Sequence, residues 1–280
     1  MSAGPVPLFR REIQVAVLAS GSGGNCTYIG DGQAGVLIDC GISARQVLQR
    51  LDAVGLGSAP IDAVLITHEH IDHVGAARVL CDRLHKDRGR WVPFLMTRGT
   101  RTALSPSVTP AAVEQVDSGA TIQVRHLILD AFPVPHDTVE PVAWRVHVGG
   151  HHVGVITDLG RPTTLVEEKL RSLSIAVLEF NHDFEMLMAG SYPWQLKQRI
   201  RSSHGHLSND QAAELLRRGL GPELRQLVLA HLSEENNAPA KALASAAAAL
   251  GEVGAQDRVQ VQLGHAREPL PPITLPARDG

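Results

Sequence analysis

The sequence has 280 residues, 44% hydrophobic and 20% charged, which suits one large domain or two small ones around a sizeable core. Aromatic residues make up only 4%, so that core must be aliphatic and rich in alanine. A net charge of -3 with histidines neutral excludes a global attraction to nucleic acid and leaves only a local basic patch for that purpose.

The three cysteines, Cys26, Cys40 and Cys81, are odd in number and lack CxxC spacing. That argues against a disulfide framework and a cysteine zinc site. The first eleven residues read as non-secretory, and no apolar run is long enough to span a membrane. A reducing cytoplasm is the expected setting, with no membrane partner.

In chain order, residues 13–19, 36–38 and 63–67 are short apolar runs with the β-branched content of buried strands. Residues 43–54 place Val47, Leu48, Leu51 and Val54 at helical spacing behind Ser43. Residues 72–86 read as a second helix. Strand-like runs return at 121–124, 142–148, 152–156, 175–180 and 224–230. Ser208 followed by Gln211 forms a capping box that opens another helix. Residues 239–250 read as a late helix and 258–263 as a last strand. No repeat or linker divides the chain. We expect an N-terminal extension at 1–12, a single α/β domain at 13–265, and a surface tail at 266–280, where four prolines fall.

Chemistry concentrates at His68, His70, Asp72 and His73, four potential ligands at a strand-to-helix turn. Strand residues two apart share a face, so His68 and His70 can address one metal, while Asp72 and His73 can address a second. Imidazole and carboxylate without thiolate suit Zn, Mn or Fe. His136, Asp158 and His231 each follow an apolar run, at the strand exits where α/β folds place chemistry. Any of them alone would be a weak signal, but together they form an ordered set.

With these residues the chain resembles the metallo-β-lactamase superfamily. The HxHxDH motif of that family corresponds to His68 through His73, its third-motif histidine to His136, its bridging aspartate to Asp158 and its last histidine to His231. The resemblance implies a four-layer αββα sandwich without a large inserted domain, holding two divalent metal ions per subunit. One would lie on His68, His70, His136 and Asp158, the other on Asp72, His73, Asp158 and His231. Asp39 would support the metal loop without binding metal. His73 and the lack of any cysteine after Cys81 argue against a true lactamase.

The glycine-rich stretch 19–26, Glu179 to Asp183, residues 190–209 and 231–237 narrow the resemblance to the YycJ (WalJ)-type branch, regarded as metal-dependent DNA exonucleases. By that resemblance Asp72 would orient and deprotonate the attacking water. His206, in a segment similar to one in tRNA 3′-processing enzymes, would assist the leaving 3′ oxygen and leave a 5′-phosphate. Candidate substrate contacts are Asn25 in the glycine-rich loop, His182, which could touch phosphate or buttress a ligand, and the cations Lys197, Arg199 and Arg201 beside Tyr192 and Trp194. The same alternation of cations also fits a plain solvated face. Rival readings are a small-molecule phosphodiesterase or RNA-processing nuclease on the same fold, and a catalytically silent nucleic-acid binding module.

Overall fold

The structure is a computed structural model and describes residues 11–278. The expected N-terminal extension therefore lies outside the described residues, apart from Arg11 and Glu12.

The first half of the chain lays down β1 (Glu12–Ala19), β2 (Cys26–Gly30), β3 (Gly35–Ile38), β4 (Ala63–Leu65), β5 (Phe94–Thr97) and β6 (Val113–Val116). The second half lays down β7 (Thr121–Val124), β8 (Leu127–Pro133), β9 (Val142–Val148), β10 (His151–Ile156), β11 (Ile175–Glu179), β12 (Gln226–Ala230) and β13 (Gln260–Leu263). A final strand, β14 (Ile273–Pro276), returns to pair antiparallel with β1. The sheets run β14-β1-β2-β3-β4-β5-β6 and β13-β12-β11-β10-β9-β8-β7.

The helices are α1 (Ala44–Ala53), α2 (Ile71–Val74), α3 (Ala77–Arg88), α4 (Arg98–Ala103), α5 (Thr164–Arg171), α6 (Phe184–Ala189), α7 (Trp194–Ile200), α8 (Asn209–Gly219) and α9 (Pro239–Glu252). Ser43 caps α1 as expected and also forms a capping box with Gln46, and the expected box of Ser208 with Gln211 forms.

Alternation along the strands builds the layers. Ile13, Val15 and Val17 of β1 face a core between the sheets, together with Trp144, Val146 and Val177. Ala16 and Leu18 point the other way, into a second core with Val47 and Leu51 of α1 and Leu80 and Leu84 of α3. On the far side, Ala176 and Leu178 of β11 pack on α5, α8 and α9 through Leu170, Leu216 and Ala246. The result is the expected αββα sandwich. Strands buried on both faces read as continuous apolar runs, which is why β1 and β12 were legible.

Three expectations need correction. The 72–86 helix is two helices, because Gly75 and Ala76 interrupt it. The proline-rich stretch is not a free surface tail: β14 within it closes the first sheet, and an edge strand tolerates Pro276. Strands β2, β5, β6 and β8 went unpredicted.

Two ties fix the two sheets together beside the site. The Trp144 indole donates to Ile66 O at 3.1 Å, and Val142 N donates to Thr67 O at 3.0 Å. Both land just before the histidine-rich turn.

Candidate metal centre

The turn after β4 is held rigidly from behind. Asp39, just past β3, accepts from Thr67 N and Thr67 Oγ1 at 2.9 Å each. Cys40 N donates to His73 O at 2.8 Å, and Asn25 N donates to Asp72 O at 2.8 Å. The fit is so close that a Cβ on Gly41 would meet Asp72 O at 1.6 Å, so this position requires glycine. Asp39, Asp158 and His231 all take left-handed backbone, with φ of 58°, 58° and 54°. Each follows the end of β3, β10 or β12. Such strain costs on the order of 1 kcal/mol per residue and clusters where side chains must be aimed.

The imidazoles are aimed by their Nδ1 atoms. A carboxylate or carbonyl can only accept, so the ring nitrogen facing one must donate. His73 Nδ1 donates to Asp39 Oδ2 at 2.8 Å, His136 Nδ1 to Gly205 O at 3.0 Å, and His231 Nδ1 to Glu179 Oε1 at 3.2 Å. Thr67 Oγ1 gives its proton to Asp39 and receives one from His68 Nδ1 at 2.9 Å. Each ring thus keeps Nε2 free to act as a ligand, the tautomer control common in metal sites. His70 approaches from the other side, its Nδ1 3.3 Å from His136 Nε2.

Two clusters result. His68, His70 and His136 form one, and Asp72, His73 and His231 the other. Asp158 touches both, with oxygens 3.1 Å from His73 Nε2 and 3.8 Å from His136 Nε2. Asp72 Oδ2 lies 3.5 Å from Nε2 of both His73 and His231.

His68 Nε2, Asp158 Oδ2 and His231 Nε2 are buried without a hydrogen-bond partner. Leaving such atoms unpaired costs about 1–3 kcal/mol each. A divalent cation in each cluster, one reaching His68 and the other His231 with Asp158 facing both, would satisfy all three, so the donor set fits metal.

The electrostatics point the same way. Burial disfavours charge on Asp158, but the surrounding imidazoles, His231 first and then His73, hold its carboxyl well below the usual range. Burial likewise opposes charge on His231, yet Asp158, Asp72 and Glu179 hold it up at about 10. His73 is raised well above its ordinary value by Asp158 and Asp39 against the same penalty. Without metal, then, imidazolium protons balance the carboxylates, and a cation would displace them. His68 behaves differently: burial and neighbouring His73 push it well down, so it is neutral and ready to bind.

A cleft of about 390 Å³ lies over the two clusters and is lined by Asp72, Asp158, Tyr192, Arg199, His206 and His231, among others.

The family described as the Beta-lactamase superfamily domain matches residues 35–232. Exodeoxyribonuclease WalJ of Streptococcus pneumoniae serotype 2 is 33% identical over 227 residues, covering 79% of this chain and 82% of that protein. Exodeoxyribonuclease YycJ of Bacillus anthracis is 30% identical over 245 residues, covering 86% and 90%. The chain belongs to the β-lactamase superfamily, in its YycJ-type branch. The metallo-β-lactamase fold protein YhfI of Bacillus subtilis shares the architecture, with a TM-score of 0.65 at 14% identity, covering 93% of this chain and 99% of that one.

Against this superfamily frame, the seven expected ligands and Asp39 converge. His206 stands at the rim, its Nδ1 2.7 Å from Glu179 Oε1. Burial opposes its protonation, but Glu179 and Asp158 outweigh that and hold its pKa above the ordinary value.

The expected substrate contacts disperse. Asn25 is buried, and its side chain closes the loop on Gly21 and sits 3.1 Å from His73 Nε2, so it braces the ligands and does not face substrate. His182 is 1% exposed and lies outside the residues lining the cleft, with its pKa lowered to about 4 chiefly by burial. The cationic strip does not exist as a strip. Residues 197 and 199 lie on helix α7, where side chains two apart point to different sides. Lys197 is buried and caps the end of α6, donating to Met188 O and Gly190 O at 2.8 and 2.6 Å. Arg201 lies over the Phe184 ring at 5.5 Å. Of the three, Arg199 alone lines the cleft, paired with Asp137 at 2.5 Å.

Glu179 was missed as a functional residue. It is fully buried at the end of β11, and its Oε2 accepts from Leu159 N and Leu207 N at 2.9 and 3.2 Å. Despite its burial, His206 and His231 draw its carboxyl down to about 2. The available signal was a lone carboxylate closing an otherwise apolar strand.

Among the described residues, no helix is long and apolar enough to cross a membrane.

Proposed function

We propose that this chain is a two-metal phosphodiester hydrolase that shortens DNA from its ends and leaves 5′-phosphates. The observation that carries this reading is the pair of ligand clusters that meet at Asp158, with His206 at the wall of the same cleft. The names of the S. pneumoniae and B. anthracis relatives support DNA as the substrate and an exonuclease as the activity.

Two divalent ions, Mn or Zn by the donor set and Fe as a further candidate, would supply Lewis-acid stabilisation of the phosphodiester and a more acidic water. The ligands would be His68, His70, His136 and Asp158 for one, and Asp72, His73, Asp158 and His231 for the other. The chain's own groups do the remaining work. Asp72 opens on the cleft, where it orients the attacking water and accepts its proton. His206 commits Nδ1 to Glu179, which leaves Nε2 to give a proton to the leaving 3′ oxygen. Arg199 offers a guanidinium to a phosphate neighbouring the scissile one.

End-labelled DNA and RNA strands, incubated with protein loaded with Mn, Zn or Mg, test this reading. Stepwise loss of DNA with 5′-mononucleotide products supports it. DNA left intact in all three metals overturns it.

A further inference from the structure

The cleft over the metal ligands does not end there. A second cavity of about 480 Å³ adjoins it and shares Ser22, Tyr192 and Ser233 as common wall. Its lining adds the cations Arg50 and Arg267 and the acids Glu234 and Glu235. The segment carrying Arg267 is fixed in place: Ser20 N donates to His265 O at 2.9 Å, Arg50 donates to Ala266 O at 3.1 Å, and Leu270 N donates to Val17 O at 2.9 Å. Pairing of β14 with β1 anchors it further on. The stretch after β13 is therefore one bank of a groove that starts at the metal ligands.

The other bank is the glycine-rich loop. The N–H groups of Ser22 and Gly23 make no hydrogen bond to the described residues, and both residues are exposed. Free amides at a loop tip suit anionic oxygens. Arg267 carries a side chain 87% exposed, and among the described residues its ion pair is a 3.7 Å approach to Glu234, itself 67% exposed. An exposed pair of this kind is weak, so a phosphate can compete for the guanidinium. Tyr192 stands at the junction of the two cavities and offers a ring for stacking. A third cavity also reaches Ser22, but it runs between Ile71, Ala76 and Val79 and holds no cation.

We propose that a single-stranded stretch of substrate beyond the scissile bond lies in the Tyr192–Arg267 groove. Its phosphates rest on the Ser22 and Gly23 amides and on Arg267, and one base stacks on Tyr192. This rests on the reading of the chain as a DNA hydrolase. It adds that binding strengthens with strand length past the cleft, and that residues from both ends of the chain set the effect.

Three variants test it with opposite signs. Arg267→Ala removes a phosphate contact from an exposed position. Gly23→Asp puts a carboxylate where an added Cβ meets nothing within 4 Å. Glu234→Lys replaces the competing acid with a cation. Each is compared with the parent for binding of a fluorescent single-stranded dodecamer and a dinucleotide, both with phosphorothioate linkages, by anisotropy on the metal-loaded protein. Arg267→Ala should weaken dodecamer binding several-fold and lower the slope of log affinity against log salt by about 0.7, the value for one contact on a single strand. Gly23→Asp should also weaken it, and Glu234→Lys should tighten it, with smaller changes for the dinucleotide. Parent-like dodecamer binding in all three variants overturns the proposal, as do equal changes on both ligands or a parent that does not bind the dodecamer. A parent that binds the strand along the groove without cutting it contradicts the nuclease reading and leaves the groove standing.

Discussion

Nδ1 of His206 lies 2.7 Å from Oε1 of Glu179, a contact that joins positions 27 residues apart in the chain. The same oxygen receives Nδ1 of His231 at 3.2 Å. One buried carboxylate thus orients both the expected proton donor and an expected metal ligand.

Glu179→Gln keeps the shape of that side chain and removes its charge. We expect kcat on DNA to fall about 10- to 100-fold, the range for a group that positions metal ligands. Metal affinity should weaken as well, because His231 loses its orienting partner. Turnover measured against metal titration checks this. Parent-like values of both would show that Glu179 serves packing alone.

His206→Ala should lower DNA cleavage by about two to four powers of ten, as expected for a positioned acid, while metal content stays unchanged. An activated nitrophenyl phosphodiester needs less help with its leaving group and should lose less activity. Equal losses on both substrates would place His206 in metal geometry or folding.

Lys197→Met retains the apolar stem and deletes the donor to Met188 O and Gly190 O. We expect a loss of about 1–3 kcal/mol in stability from the carbonyls left behind. DNA affinity should follow the parent, since the ammonium never reaches the cleft. Urea unfolding and strand binding read the two effects separately, and a change in affinity without a change in stability would restore Lys197 to the substrate contacts.

His182 binds its proton less readily when folded, at about 4 compared with an ordinary 6.5, chiefly because it is buried. Between those values the unfolded chain holds more protons, so stability rises with pH. This contribution is complete above about 6.5 and is lost progressively as pH falls towards 4. Urea unfolding of metal-free protein across this window should show a shallower acid decline for His182→Gln than for the parent. Parallel curves would mean that His182 does not titrate as its burial demands.

The convergence of the seven expected ligands was legible because each is a histidine or aspartate placed near the exit of an apolar strand, a pattern that survives in one dimension. Glu179 was not, since a single acid at a strand end carries no spacing. The supposed cationic strip failed because alternation at 197, 199 and 201 implies a common face only in extended chain, and α7 is helical. Proline density hid β14, since the backbone demands of an edge strand are lighter than those of a central one. Asn25 and His182 lie near the ligands but are buried and do not line the cleft, and burial depends on long-range packing that no local window contains.

The central claim is that Asp158 joins two metal sites. Elemental analysis of Mn-saturated protein, with anomalous scattering to place the ions, tests it most directly. The account predicts two ions per chain with Asp158 between them, His136 on one and His231 on the other. A single ion at saturation, or a pair that leaves out His231, would contradict it.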